Sequence, residues 1–336
     1  MKESGTMKLK KWLSRALVLA MVVALMIPVP VAAKSSGGGK LVKSVTYYSP
    51  VKTGGWQAET KVSYKYGKKA MPTEITTTNY YSYFLGVPVS GSSNTTAIKY
   101  KGKSAKLYDS AGFLFAKRSY KGGKLVSYSS DNKTTSRALK ADGKTVYDLT
   151  KFSATVGHES YFKNGLAKAS DYTSSYLDSD NKSWAYTENT VYAWTQKKGV
   201  PSAVVTTSVK TGKDDRQTFD GKAESEYAIF NSKGFAVEIG KVNKEGKNVP
   251  DYAIQYTMKK GKVASAVVYS IDDKGVPTPA AMMKFAYTKK SASKSKTFNM
   301  INSLVDRAYG EGIDSEYEEV YEYSTSVGIP GGFSWY

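Results

Sequence analysis

The 336-residue sequence predicts a mainly β protein: an antiparallel meander of hairpins, forming an extended or curved sheet, with one C-terminal helix at about 297–309. Three observations predict it. Apolar and polar residues alternate with period two in many short runs. Two kinds of glycine-containing turn recur between those runs, and one segment near the C-terminus spaces its apolar residues as a helix does.

The first element is a leader. Lys8, Lys10, Lys11 and Arg15 precede an apolar run from Ala16 to Ile27, and Val31-Ala32-Ala33 offers compact residues to a signal peptidase. This is the layout of a secretory signal peptide over 1–33, cut after Ala33. Pro28 and Pro30 argue against an uncleaved anchor, because they break a helix already short for a bilayer crossing. No transmembrane segment is expected after cleavage, and with no cysteine at the cut there is no lipid anchor. Met1 and Met7 are both candidate starts. A mature chain of about 300 residues can bury enough surface without disulfides, and the absence of cysteine fits bacterial export. SSGGGK at Ser35–Lys40 makes 34–40 a flexible lead-in.

Residues 41–336 form the predicted hairpin region. KVSYKY at Lys61–Tyr66 puts Val62, Tyr64 and Tyr66 on one face and Lys61, Ser63 and Lys65 on the other. YAIQYTMK at Tyr252–Lys259 does the same with Tyr252, Ile254, Tyr256 and Met258. Such alternation suits a half-buried antiparallel sheet.

The first turn type reads Asn/Asp-x-x-Gly, from Asp109 to Gly112, Asn231 to Gly234, Asn243 to Gly246 and Asp272 to Gly275. The leading side chain can accept from backbone amides round a type I turn, and the glycine can take left-handed geometry. The second type centres on Lys and Gly, as at Lys101-Gly102, Lys121-Gly122, Lys163-Asn164-Gly165, Lys198-Gly199 and Lys260-Gly261. WTQKKGVPSAVV at Trp194–Val205 is echoed by YTMKKGKVASAVV at Tyr256–Val268. Echoes at irregular spacing indicate repeated hairpins, not a strict solenoid. SDYTSSYLDSDNK at Ser170–Lys182 gathers polar and turn-forming residues and reads as a subdivision, a long loop or continuous sheet.

Tyr108-Asp109-x-x-Gly112-x-Leu114 resembles the YD repeats of large bacterial surface and toxin-shell proteins. Phe162-Lys163-Asn164-Gly165-Leu166 resembles the hairpins of MORN-variant repeats in bacterial envelope proteins. Both resemblances imply β-hairpin scaffolds at the cell surface, with no catalytic residues to carry over.

TFNMINSLVDRAY at Thr297–Tyr309 places Phe298, Ile301, Leu304, Val305 and Ala308 at helical spacing, with Gly310 as a stop. EYEEVYEY at Glu316–Tyr323 reads as a strand whose glutamates would meet lysines across a ladder, so the acidic tail is expected to fold back on the basic body.

Without the leader the chain has 44 basic and 28 acidic residues, a net charge of +16. Every Lys and Arg lies before position 308, whereas six acids follow it. A body this basic attracts polyanions, although dispersed lysines also keep sheets soluble. Familiar chemistry is missing. His158 is the sole histidine, and Phe162 stands where a second zinc-binding histidine would be needed. Asp178-Ser179-Asp180-Asn181 lacks the Gly and Glu of an EF-hand loop, and there is no Gly-x-Ser-x-Gly elbow. No catalytic, cofactor-binding or metal-binding residue is therefore expected. The 27 tyrosines could stack on sugars, with Tyr80–Phe84 and Gly332–Tyr336 the densest clusters. An outer-membrane barrel is excluded, since lysines recur on alternate strand positions where an apolar band would be required.

The expected role is a secreted, non-enzymatic bacterial surface or wall-associated protein that binds an anionic cell-wall polymer or glycan. The alternatives are a polysaccharide-active enzyme or accessory module, and a self-assembling coat whose sheet edges pair between copies. Oligomeric state is left open.

Overall fold

The computed structural model describes residues 39–305, apart from 53, 68–70, 81–90, 92, 123, 140–145, 178–181, 215–216, 293–299 and 303. The first strands are β1 (Gly39–Pro50), β2 (Trp56–Tyr66), β3 (Pro72–Asn79), β4 (Ser93–Lys101), β5 (Ser104–Tyr108) and β6 (Leu114–Lys121). Longer strands follow: β7 (Lys124–Leu139), β8 (Val146–Tyr161), β9 (Ala167–Leu177), β10 (Ser183–Lys197), β11 (Val200–Lys213) and β12 (Thr218–Phe230). The series ends with β13 (Ala236–Val242), β14 (Asn248–Lys259), β15 (Lys262–Ile271) and β16 (Pro277–Ala292).

Each strand pairs antiparallel with its neighbours in the chain, and β16 returns to pair with β1, so the sheet is a closed barrel of 16 strands. Closure corrects the expectation of an extended or curved open meander. It also corrects the resemblance to YD and MORN-variant repeats, which implies open hairpin scaffolds. The closing register sets Val45 opposite Phe285, Thr46 opposite Lys284 and Tyr47 opposite Met283. These partners lie some 240 residues apart, so no local pattern announces the seam. Closure is favoured because it satisfies both edges' backbone groups and buries a continuous inner face.

The hairpins themselves are where the sequence places them. At the β12–β13 turn the Gly234 amide donates to the Asn231 carbonyl at 2.9 Å, and the Phe235 amide donates to Asn231 Oδ1 at 3.1 Å. Gly234 has φ of +84°, a conformation that costs an L-residue about 1–2 kcal/mol. Gly234→Ala should therefore lower stability by about 1–2 kcal/mol in urea titrations. An unchanged midpoint would mean that the turn has another geometry.

Alternation assigns the two faces. On β2, Val62 and Tyr64 are buried and face inward, while Lys65 is exposed and faces outward. Inner residues from all round the barrel join one apolar cluster, including Val45, Ile75, Leu107, Val204, Ile254 and Met283. The lysines that argue against a barrel at the sequence level lie on the outer wall of a sheet that closes nonetheless. Lys61 and Lys284 flank Thr46 there.

The barrel has two unlike ends. The turns that join even to odd strands, such as β2–β3 and β12–β13, lie at the end called lower here. Residues 300–302, 304 and 305 are helical and belong to this end, while the rest of the predicted helix at 297–309 lies outside the described residues. Met300, Ile301, Leu304 and Val305 are at most 2% exposed. Asn302 ties the segment to the β12–β13 turn, accepting from the Ala236 amide at 3.2 Å and donating to the Gly234 carbonyl at 2.8 Å. Tyr47 donates to the Leu304 carbonyl at 3.0 Å.

Candidate functional site

The inner wall changes character towards the upper end, along β8 to β12. Inward positions of β10 run Trp184, Tyr186, Glu188, Thr190, Tyr192 and Trp194, following the period-two rule. Their partners on β9 put Tyr176 beside Trp184 and Tyr172 beside Glu188. On β11, Lys210 lies opposite Glu188 and Gly212 opposite Tyr186. Phe219 on β12 pairs with Gly212.

These side chains interlock. Tyr176 and Trp184 stack at 5.4 Å between centroids, Tyr172 meets Tyr186 edge-on at 5.9 Å, and Tyr186 meets Phe219 at 5.3 Å. Glu188 accepts from the Tyr172 hydroxyl at 2.9 Å and pairs with Lys210 Nζ at 3.2 Å. Burial, reinforced by the Glu188 charge, pushes the Tyr172 phenol well above its ordinary range, so it stays a donor. Lys210 Nζ also lies 5.7 Å from the Phe219 ring centre.

Below this aromatic wall the interior holds ionisable groups among apolar neighbours. Arg118 is 7% exposed, and its Nε has no hydrogen-bond partner among the described residues. Burial pushes the Glu159 carboxyl up to about 7, opposed by the Tyr161 hydroxyl, which donates to it, and by the Arg118 charge. Tyr128, directly opposite both Arg118 and Gly157, lays its ring over Gly157, where a Cβ would collide with it. Thr190 and Ser208 hydroxyls bond at 2.9 Å, and Ser170 bonds the Tyr192 hydroxyl at 3.0 Å.

No protein-family model matches the chain, and none of the curated proteins matches it. Among solved structures it is similar to a porin-like protein from Bacteroides uniformis, at 12% identity and a TM-score of 0.45, covering 74% of this chain and 98% of that one. A porin-like protein from Bacteroides vulgatus gives 13% identity and a TM-score of 0.39, covering 74% of this chain and 99% of that one. The closed barrel is read from the chain's own strand pairing.

The residues that drew notice in the sequence lie mostly elsewhere. His158 is on the outer wall, opposite Asp171 and 2.9 Å from its carboxylate, with both side chains at least half exposed. Tyr80 is exposed, while Tyr81–Phe84, Asp178–Asn181, Glu316–Tyr323 and Gly332–Tyr336 lie outside the described residues. Among the described residues no group of three or more His, Asp or Glu could hold a metal, and no helix is long and apolar enough to cross a membrane. Ser170–Leu177, a stretch readable as a loop, is part of β9. The inner-wall residues were legible in principle. In SWAYTENTVYAW the aromatic positions share one phase, and Glu188 falls in that phase with them.

Proposed function

We propose that the protein is an exported, non-enzymatic β-barrel of the bacterial cell surface that binds a glycan on the aromatic inner wall of β9, β10 and β12. One observation carries the reading. Tyr176 contacts Trp184 and Tyr186 contacts Phe219 ring to ring, yet all four stay partly exposed, whereas lower-end rings such as Tyr64 and Phe235 are at most 6% exposed. Aromatic surface not consumed by packing offers a flat apolar face to the C–H side of a sugar ring. Glu188 and Lys210 beside it supply an acceptor and a donor for hydroxyl groups.

The leader at 1–33 supports export. The outer wall favours water over lipid, because a lysine facing a bilayer midplane costs about 2–4 kcal/mol. Lys284, Lys106 and Lys117 all project outward from within their strands. Closure also removes the free edges on which a coat built by strand pairing depends.

The test is a glycan array with follow-up titration by tryptophan fluorescence. The protein should retain at least one glycan, and Trp184→Ala should weaken that binding about tenfold, the scale of one lost ring contact. No retained glycan, or equal affinity in the variant, removes the reading.

A further inference from the structure

Lysines that are dispersed in the sequence come together on the outer wall of β4, β5 and β6. Lys99 lies directly opposite Lys106, and Lys106 directly opposite Lys117. All three are exposed, and none has an acidic partner among the described residues. The three strands read SNTTAIKYK, SAKLY and LFAKRSYK, without a single Asp or Glu. Lys101 and Lys121 extend the exposed set downward on the same face. Lys99 Nζ stands 4.4 Å from the centre of the Tyr108 ring, which shares the outer face and steadies the ammonium there.

Like charges directly across a ladder destabilise a sheet. Solubility alone does not call for this arrangement, because any spread of lysines would serve it. Edge protection does not apply either, since β4 to β6 are paired on both sides. Adjacent strands are about 4.8 Å apart, so the row presents ammonium groups at nearly regular intervals along a line crossing the strands. Charge complementarity to such a row requires an extended chain with one anionic group per short repeat.

We propose that Lys99, Lys106 and Lys117 form a binding row for a linear polyanion, separate from the inner-wall glycan site. The polymer lies across β4 to β6 on the outside of the barrel. Its carboxylates or phosphates relieve the repulsion between the three ammonium groups, and Lys101 and Lys121 meet the flanking repeats. Two anion chemistries fit this geometry, a polyuronate and a polyol-phosphate chain.

The test compares two triple variants of equal net charge. One carries Lys99→Ser, Lys106→Ser and Lys117→Ser; the other carries Lys197→Ser, Lys233→Ser and Lys244→Ser, at exposed positions away from the row. Each is titrated with polygalacturonate and with poly(glycerol phosphate) at low and at physiological salt. The wild-type protein should bind at least one of the two, more weakly as salt rises. The row variant should lose at least tenfold in affinity for that polymer, while the control variant stays within about twofold. Which polymer responds identifies the anion. Binding to neither polymer, or equal losses in both variants, overturns the proposal. The inner-wall reading is scored separately, because Trp184→Ala should leave polyanion binding unchanged.

Discussion

Leu304→Ala should lower the unfolding free energy by about 2–5 kcal/mol, the range for deleting a fully buried leucine and leaving its cavity. The side chain is 2% exposed and joins the same cluster as Val45, Ile254 and Met283 from distant parts of the wall. Its backbone is pinned by the Tyr47 hydroxyl, and the neighbouring Asn302 is held by two hydrogen bonds to the β12–β13 turn. The segment therefore cannot collapse easily into the vacated space, which puts the expected loss at the upper part of the range. Ile301→Val, which removes one methylene at a site 1% exposed, should cost only about 0.5–1.5 kcal/mol. Urea unfolding followed by circular dichroism separates the two. Should Leu304→Ala cost under 1 kcal/mol, the helical segment is not packed into the barrel's apolar cluster as described.

Turns and strand faces were legible because their causes are local. Asn231 and Gly234 sit three residues apart and bond to each other, so the pair carries its own geometry. Val62 and Tyr64 reveal an inner face because a strand alternates by construction. Closure had no such signature. Tyr47 and Met283 are ordinary strand residues, and only the whole inner surface decides that they meet. The same limit applies to function. Lys99, Lys106 and Lys117 look evenly scattered until hairpin register sets them in line, and register depends on turn length and bulges, not on lysine spacing. The YD-like string at Tyr108–Leu114 does mark a tight turn, with Gly112 at φ of +87°. Turn chemistry is common to open and closed sheets, so that string could not tell one from the other.

The two faces of the wall accordingly hold different chemistry. Inside, apolar packing desolvates the ionisable groups among it, and burial shifts the Glu159 carboxyl towards its neutral form. Outside, lysines remain in water and repel one another only weakly, at about 1 kcal/mol for a pair 4 Å apart. This asymmetry is why pH should act through the interior and salt through the exterior.

Glu159 supplies the pH dependence. Its folded-state carboxyl titrates at about 7 against an ordinary value of 4.5, because burial disfavours the charged form more than Tyr161 and Arg118 favour it. The unfolded chain has released this proton by about pH 5, while the folded chain keeps it to near neutrality. Over that window the folded state binds more protons, so stability falls as pH rises from about 4.5 to about 7 and then levels off. The full span is about 3 kcal/mol, reduced by whatever water reaches the carboxyl. Glu159→Gln keeps the shape and removes the charge, so its stability should vary less with pH and exceed that of the wild-type protein above pH 7. Urea titrations at pH 5, 6, 7 and 8 read both effects. Parallel pH curves for the two proteins would show that Glu159 is ionised throughout, and a carboxylate ionised there would have to draw the Arg118 guanidinium into a direct ion pair.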